Sequence, residues 1–161
     1  MKNKFLSGIF LISSLAMGVN AKDYATDIHI GISSSYIDSE NKTAYNMGYG
    51  ISKTFDNKIF TAVSFDVEYA SPRRGSLYGY GVDFKLGYNV WDKLNAYSIV
   101  AGKGQSTNGD TAYGFGYGAG VEYPVTQSVA VAVEYKNYNM VSSNIPDYEY
   151  EILGLNLKYI F

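Results

Sequence analysis

From Tyr78 to Val90 the chain alternates without a break. Tyr78, Tyr80, Val82, Phe84, Leu86, Tyr88 and Val90 fall on one side; Gly79, Gly81, Asp83, Lys85, Gly87 and Asn89 fall on the other. A period of two predicts a strand with one apolar face. Seven further segments carry the same pattern. The first runs from about Ile28 to Ile37, with Ile28, Ile30, Ile32 and Tyr36 on one face, before a polar break at Asp38–Lys42. The second, about Ala44 to Phe55, sets Tyr45, Met47, Tyr49 and Ile51 against Asn46, Gly48, Gly50 and Ser52, and ends in a tight turn at Asp56-Asn57-Lys58. The third, about Ile59 to Ala70, sets Val63, Phe65, Val67 and Tyr69 against Ser64, Asp66 and Glu68, and leads into a loop over 71–76.

After a turn at Trp91-Asp92-Lys93, the fifth segment, about Leu94 to Lys103, is ambiguous in phase. The reading preferred from the sequence points Tyr97, Ile99 and Ala101 outward, followed by a loop from Gly104 to Asp110. The sixth alternates Tyr113, Phe115, Tyr117, Ala119, Val121 and Tyr123 with Gly114, Gly116, Gly118, Gly120 and Glu122. Pro124–Gln127 turns the chain into the seventh, where Val129, Val131, Val133 and Tyr135 oppose Ala130, Ala132, Glu134 and Lys136. A polar loop from about Asn139 to Asp147 precedes the last strand. There Leu153, Leu155, Leu157, Tyr159 and the terminal Phe161 share a face. Pro72, Pro124 and Pro146 all fall in expected connections, where a missing N–H does no harm.

Ahead of these strands, Lys2 and Lys4 precede an apolar run from Phe5 to Met17 and a small-residue site at Val19-Asn20-Ala21. That order reads as a secretion signal over 1–21, leaving one mature domain over 22–161. The chain has no cysteine, which removes disulfides, thiol catalysis and cysteine-ligated metal. Without Lys2 and Lys4, eleven basic residues face fifteen acidic ones, a formal net charge of −4 that argues against a nucleic-acid partner. Tyrosine and glycine occur 17 times each. Tyrosine favours strands and membrane interfaces.

No segment after the signal reaches helix-spanning length without a charge or a turn, so any membrane span must be made of strands. The apolar positions of the fourth segment rise roughly 40 Å, or about 30 Å across a bilayer at a tilt near 40°. Connections after even-numbered segments read shorter than those after odd-numbered ones, as for short periplasmic turns and longer outer loops. The same path gathers Tyr36, Tyr45, Tyr69, Tyr78, Tyr113 and Tyr150 near the outer end. It gathers Phe55, Phe60, Trp91, Tyr97, Tyr123, Tyr159 and Phe161 near the inner end. Two aromatic girdles suit a membrane barrel. A soluble barrel of the lipocalin type would turn its apolar face inward. Here the other face is crowded with small residues, which suits a narrow interior.

The chain resembles the small outer-membrane barrels: the OmpA transmembrane domain, OmpX and the opacity proteins. The resemblance covers the mature chain and is carried most specifically by the C-terminal pattern Leu153, Leu155, Leu157, Tyr159 and Phe161, with Gly118–Pro124 resembling a penultimate hairpin. It implies an all-β, eight-stranded antiparallel up-and-down transmembrane barrel in the bacterial outer membrane. It also implies a C-terminal signal read by the β-barrel assembly machinery, and contact with outer-membrane lipid and lipopolysaccharide. The pattern ends with the chain, so no peptidoglycan-binding domain is expected, and short outer loops weigh against an adhesin role carried over from the family.

The inward face collects Asp66, Glu68, Asp83, Lys85, Glu122, Glu134, Lys136 and Lys158. These are expected to form an interior ion-pair network, with Asp83 next to Lys85 and Glu134 next to Lys136, because so small a barrel is filled by its own side chains. The alternative is the lining of a narrow water path, in a small channel or transporter for ions or apolar solutes with a weak preference for cations. His29 with Ser33 keeps a lipid A-modifying enzyme as a third reading, but both residues point inward. One histidine makes a metal site a poor expectation. Gly114, Gly116, Gly118 and Gly120 loosely match a dinucleotide fingerprint, yet that motif needs a strand-to-helix turn and here lies inside a strand. The expected molecule is a monomeric, non-enzymatic barrel without a cofactor, in a structural or surface-interaction role.

Overall fold

The computed structural model describes residues 24–161 apart from 38–39, 71–75, 92, 108–109 and 144–145. The leader expected over 1–21 and the proline at 72 lie outside the described residues. Eight strands follow in order: β1 Ala25–Ile37, β2 Glu40–Thr54, β3 Ile59–Ala70, β4 Leu77–Trp91, β5 Leu94–Thr107, β6 Asp110–Pro124, β7 Val129–Ser142 and β8 Tyr148–Ile160. Each pairs antiparallel with the next, and β8 closes onto β1, so no edge is left open. Among the described residues no helix is long and apolar enough to cross a membrane.

The register fixes the width. Followed round the ladder, Tyr36 faces Glu151, then Asn137, Tyr117, Val100, Phe84, Val63, Ile51 and finally Thr26, back on β1. The path returns ten residues from its start. A stagger of that size over eight strands corresponds to a tilt of about 40°, and the interior is just wide enough for side chains to fill.

The outward row is apolar, as the alternation requires: Ile28, Met47, Val67, Phe84, Leu86, Phe115, Val133 and Leu155 are all exposed on the barrel surface. β5 is where the sequence reading fails. Tyr97 (4 % exposed), Ile99 (1 %) and Ala101 (2 %) point inward, and Val100 (62 %) points outward. The reason lies on the neighbouring strands. An added Cβ on Gly120 of β6 would meet the Tyr97 ring at 2.7 Å, and one on Gly87 of β4 would meet Tyr97 Cβ at 2.5 Å. Inward glycines of β4 and β6 thus make room for inward bulk on β5. Outside, the Tyr80 ring of β4 lies over Gly104, where a Cβ would fall 2.5 Å from it.

Three inward aromatics leave the expected girdles: Tyr150, Phe60 and Tyr97 are buried in the lumen. Tyr36, Tyr45, Tyr69, Tyr78 and Tyr113 remain outward on the half away from the termini, with Phe55, Trp91, Tyr123, Tyr159 and Phe161 on the half near them. The expected difference in loop length is also corrected. β1 and β2 are separated only by residues 38–39, and β5 and β6 only by 108–109. Parts of the polar stretches expected as loops, 40–42, 104–107 and 139–142, are strand, because Ser, Thr and Asn satisfy the ladder above the apolar band as well as any residue. Pro124 closes β6 instead of sitting in the turn, and Pro146 lies in the β7–β8 connection. The β2–β3 turn places Lys58 at φ 66°, with its N–H donating to the Phe55 carbonyl at 2.8 Å.

Candidate functional site

The interior is the part of this molecule with chemistry. Alternation puts every second residue of each strand there, and the tilt brings side chains from non-neighbouring strands within reach. All eight charged residues expected inside do point into the lumen. Their partners differ from the sequence expectation. Lys85 of β4 reaches Glu134 of β7 at 2.5 Å, and Lys136 of β7 reaches Asp83 of β4 at 2.6 Å. The pairs thus cross the lumen, where neighbours along one strand had been expected; of the expected contacts, only Lys136 to Glu134 is present, at 3.4 Å.

Near the termini, Lys158 contacts Glu122 at 2.6 Å and Asp27 at 4.0 Å. His29 lies between two carboxylates, its Nδ1 2.7 Å from Asp27 and its Nε2 2.7 Å from Asp66. A carboxylate only accepts, so this geometry needs a proton on both ring nitrogens. Further up, Lys103 donates to Glu68 at 2.9 Å, and the Tyr150 hydroxyl donates to the other Glu68 oxygen at 2.6 Å. The Tyr97 hydroxyl donates to Glu134 at 2.8 Å. The Lys103 ammonium lies 5.1 Å from the Tyr150 ring centre and 5.4 Å from that of Tyr138, within cation–π range.

Lys103, Asp27, Tyr97 and Tyr150 are members of this network that the sequence reading missed. Asp27 shares the parity of His29 and was legible by extending β1 by one step. Lys103 was lost with the phase of β5. The buried charges are paired and hydrogen-bonded, as burial demands. Each bond between distant strands also fixes the distance across the barrel. Toward the end away from the termini, Tyr138, Met140, Tyr150, Ile152 and Ala112 pack into an apolar plug with Ile37 and Tyr148 against it. At the terminal end, a depression of about 390 Å³ is lined by Ser52, Thr54, Phe60, Asn95 and Glu122 among others.

His29 and Ser33 do not form a catalytic pair. Both ring nitrogens are held by carboxylates, and the Ser33 hydroxyl has no hydrogen-bond partner. Among the described residues, no group of three His, Asp or Glu is arranged to hold a metal ion. On the outside, Leu153, Leu155, Leu157, Tyr159 and Phe161 form one row along β8. The Phe161 N–H donates to the Thr26 carbonyl, and the Thr26 hydroxyl donates to the Phe161 carbonyl, both at 3.0 Å. The end of the chain is thereby tied to β1 at the closing seam.

Residues 12–161 match the family described as outer membrane protein beta-barrel domain. Three solved structures share the architecture. Neisserial surface protein A is 13 % identical, with a TM-score of 0.62 over 86 % of this chain and 97 % of that one. Ail, the attachment invasion locus protein of Yersinia pestis, crystallised with the heparin analogue sucrose octasulfate, is 14 % identical, with a TM-score of 0.64 over 86 % and 98 %. A de novo designed transmembrane β-barrel is 18 % identical, with a TM-score of 0.52 over 85 % and 95 %. A comparison with curated proteins finds no match. The chain belongs to the outer membrane protein β-barrel domain family, and it is an eight-stranded barrel of the bacterial outer membrane.

Proposed function

We propose that the protein is a closed structural barrel of the outer membrane, without enzymatic activity, whose working surfaces are its lipid-facing wall and its outer rim. The observation that carries this reading is the set of cross-lumen pairs Lys85–Glu134, Lys136–Asp83 and Lys103–Glu68, which bar the lumen in its middle. An interior of this width has no room beside them for a hydrated ion. The partners proposed for the wall are outer-membrane lipid and lipopolysaccharide, with the barrel as a monomer. The row ending at Phe161 is proposed as the signal read by the assembly machinery during insertion.

A small channel is the second reading, favoured by the depression at the terminal end, which brings solvent to the edge of the charged network. Planar-bilayer recording of the refolded protein separates the two. The closed barrel gives no open-pore steps comparable to a porin. Stable, frequent openings at neutral pH would replace it with the channel.

A further inference from the structure

We propose that Asn46 and Asn156 form a latch across β1 that holds the closing seam of the barrel shut. Every other strand pair is joined by a connection of the chain. β8 and β1 are not, so only their ladder and their side chains keep them together. Pairing them closes a loop that takes in the whole barrel, which makes this junction the costliest to close and the easiest to part.

Gly31 shows that the latch is built in. It is the register partner of Asn46 on one side and of Asn156 on the other. The Asn46 amide donates to Asn156 Oδ1 at 2.9 Å, passing directly over Gly31. An added Cβ on Gly31 would collide with Asn156 Oδ1 and would lie 2.5 Å from Asn46 Oδ1. Only a residue without a side chain lets the bond through. β8 is thereby tied to β2, and opening the seam means breaking this bond as well as the ladder.

The same construction recurs round the wall, each bridge skipping one strand. His29 of β1 reaches Asp66 of β3 over Gly48, where an added Cβ would lie 2.5 Å from His29 Nε2. Tyr97 of β5 reaches Glu134 of β7 over Gly120. Lys158 of β8 reaches Glu122 of β6 past Ala130 and Ala132. Each of these three uses an ionised group and leans on the charges around it. The bridge over the seam is an amide at both ends. A neutral pair needs no further charge to balance it when buried, so it holds independently of the rest of the network.

The test measures urea unfolding rates of the full barrel refolded in lipid vesicles, with the wall stapled at one of two places. Ile30→Cys with Leu157→Cys, register partners across the seam, are joined by a short bis-maleimide. Phe84→Cys with Val100→Cys, register partners across β4 and β5, give the control staple. Without a staple, Asn156→Leu should speed unfolding roughly five- to tenfold, as for one hydrogen bond lost before the transition state. With the seam stapled, Asn156→Leu should change nothing; with the control staple it should keep its full effect. Gly31→Ala pushes the two amides apart and should behave in the same way, and adding it to Asn156→Leu should bring no further acceleration. A general loss of packing would speed unfolding equally under both staples. That result would overturn the latch, and so would an unstapled Asn156→Leu barrel that unfolds no faster than the unmodified one. If Asn156→Leu does not refold, Gly31→Ala under the two staples decides by the same comparison.

Discussion

Glu134 shows how a single residue ties distant strands together. It accepts from Lys85 at 2.5 Å and from Tyr97 at 2.8 Å, with Lys136 at 3.4 Å. Replacing Glu134 by Gln keeps the shape and strips the charge that two buried ammoniums face. Removing one partner of a buried pair costs about 3–5 kcal/mol, because the other charge is left uncompensated. Lys136 keeps Asp83, so Lys85 bears most of this loss. Tyr97→Phe removes one neutral donor and leaves Lys85 in place, so it should cost only about 0.5–1.5 kcal/mol. Urea unfolding in lipid vesicles, followed by the loss of the heat-modifiable folded form, ranks the two. A Tyr97→Phe barrel as weak as Glu134→Gln would mean that the hydroxyl, and not the ion pair, holds β5 to β7.

At the scale of the strand, most of the fold was legible because alternation within one strand is a local signal. β4 and β6 read correctly since bulk sits on one face and glycine on the other. β5 did not, and the reason is physical. Its bulk faces inward and its outward row includes Gly102 and Gly104, the inverse of its neighbours. What sets its phase is the space left by Gly79, Gly87 and Gly120, which belong to other strands. Periodicity along β5 alone holds no trace of them. The cross-lumen partners were hidden for the same kind of reason, since which lysine reaches which carboxylate follows from the ten-residue stagger. The phase has direct tests. Lipid-phase quenchers should reach a label at Val100 and not one at Ile99. Phe84→Arg, outward near mid-depth, should cost about 2–4 kcal/mol. Gly120→Ala puts a methyl against the fixed Tyr97 ring and should cost about 1–3 kcal/mol by overpacking. Gly102→Ala meets nothing within 4 Å and should be tolerated. The reverse order for the two glycine variants would put β5 in the other phase. For β8, Phe161→Ser keeps the interior intact, and in cells it should reduce folded protein in the outer membrane while export continues. Unchanged amounts of folded protein would refute the assembly role proposed for that row.

For the molecule as a whole, what matters is the sum of the interior charges and where they stop. Six carboxylates, of Asp27, Asp66, Glu68, Asp83, Glu122 and Glu134, face four lysines, Lys85, Lys103, Lys136 and Lys158. His29, held by a carboxylate on each nitrogen, supplies a fifth positive charge. One negative charge remains over, and the network adjoins the depression at the terminal end through Glu122. The opposite half of the lumen holds one ion pair, Lys103–Glu68, and is narrowed by the buried Tyr138, Met140 and Ile152. An ion entering from the terminal side therefore meets a weakly negative dead end, then the Lys103–Glu68 pair and the packed rings and methionine beyond it, whose polar groups already have partners and do not replace its hydration. Resting conductance should be near zero, and any leak through transient opening should favour cations, as acidic linings do in other pores. Widening the barrier with Met140→Gly should raise the leak without changing its sign. Lys85→Gln, which leaves the interior more negative, should sharpen the cation preference. Reversal potentials measured in a salt gradient read both effects. Anion-selective currents from either variant would contradict this distribution of charge.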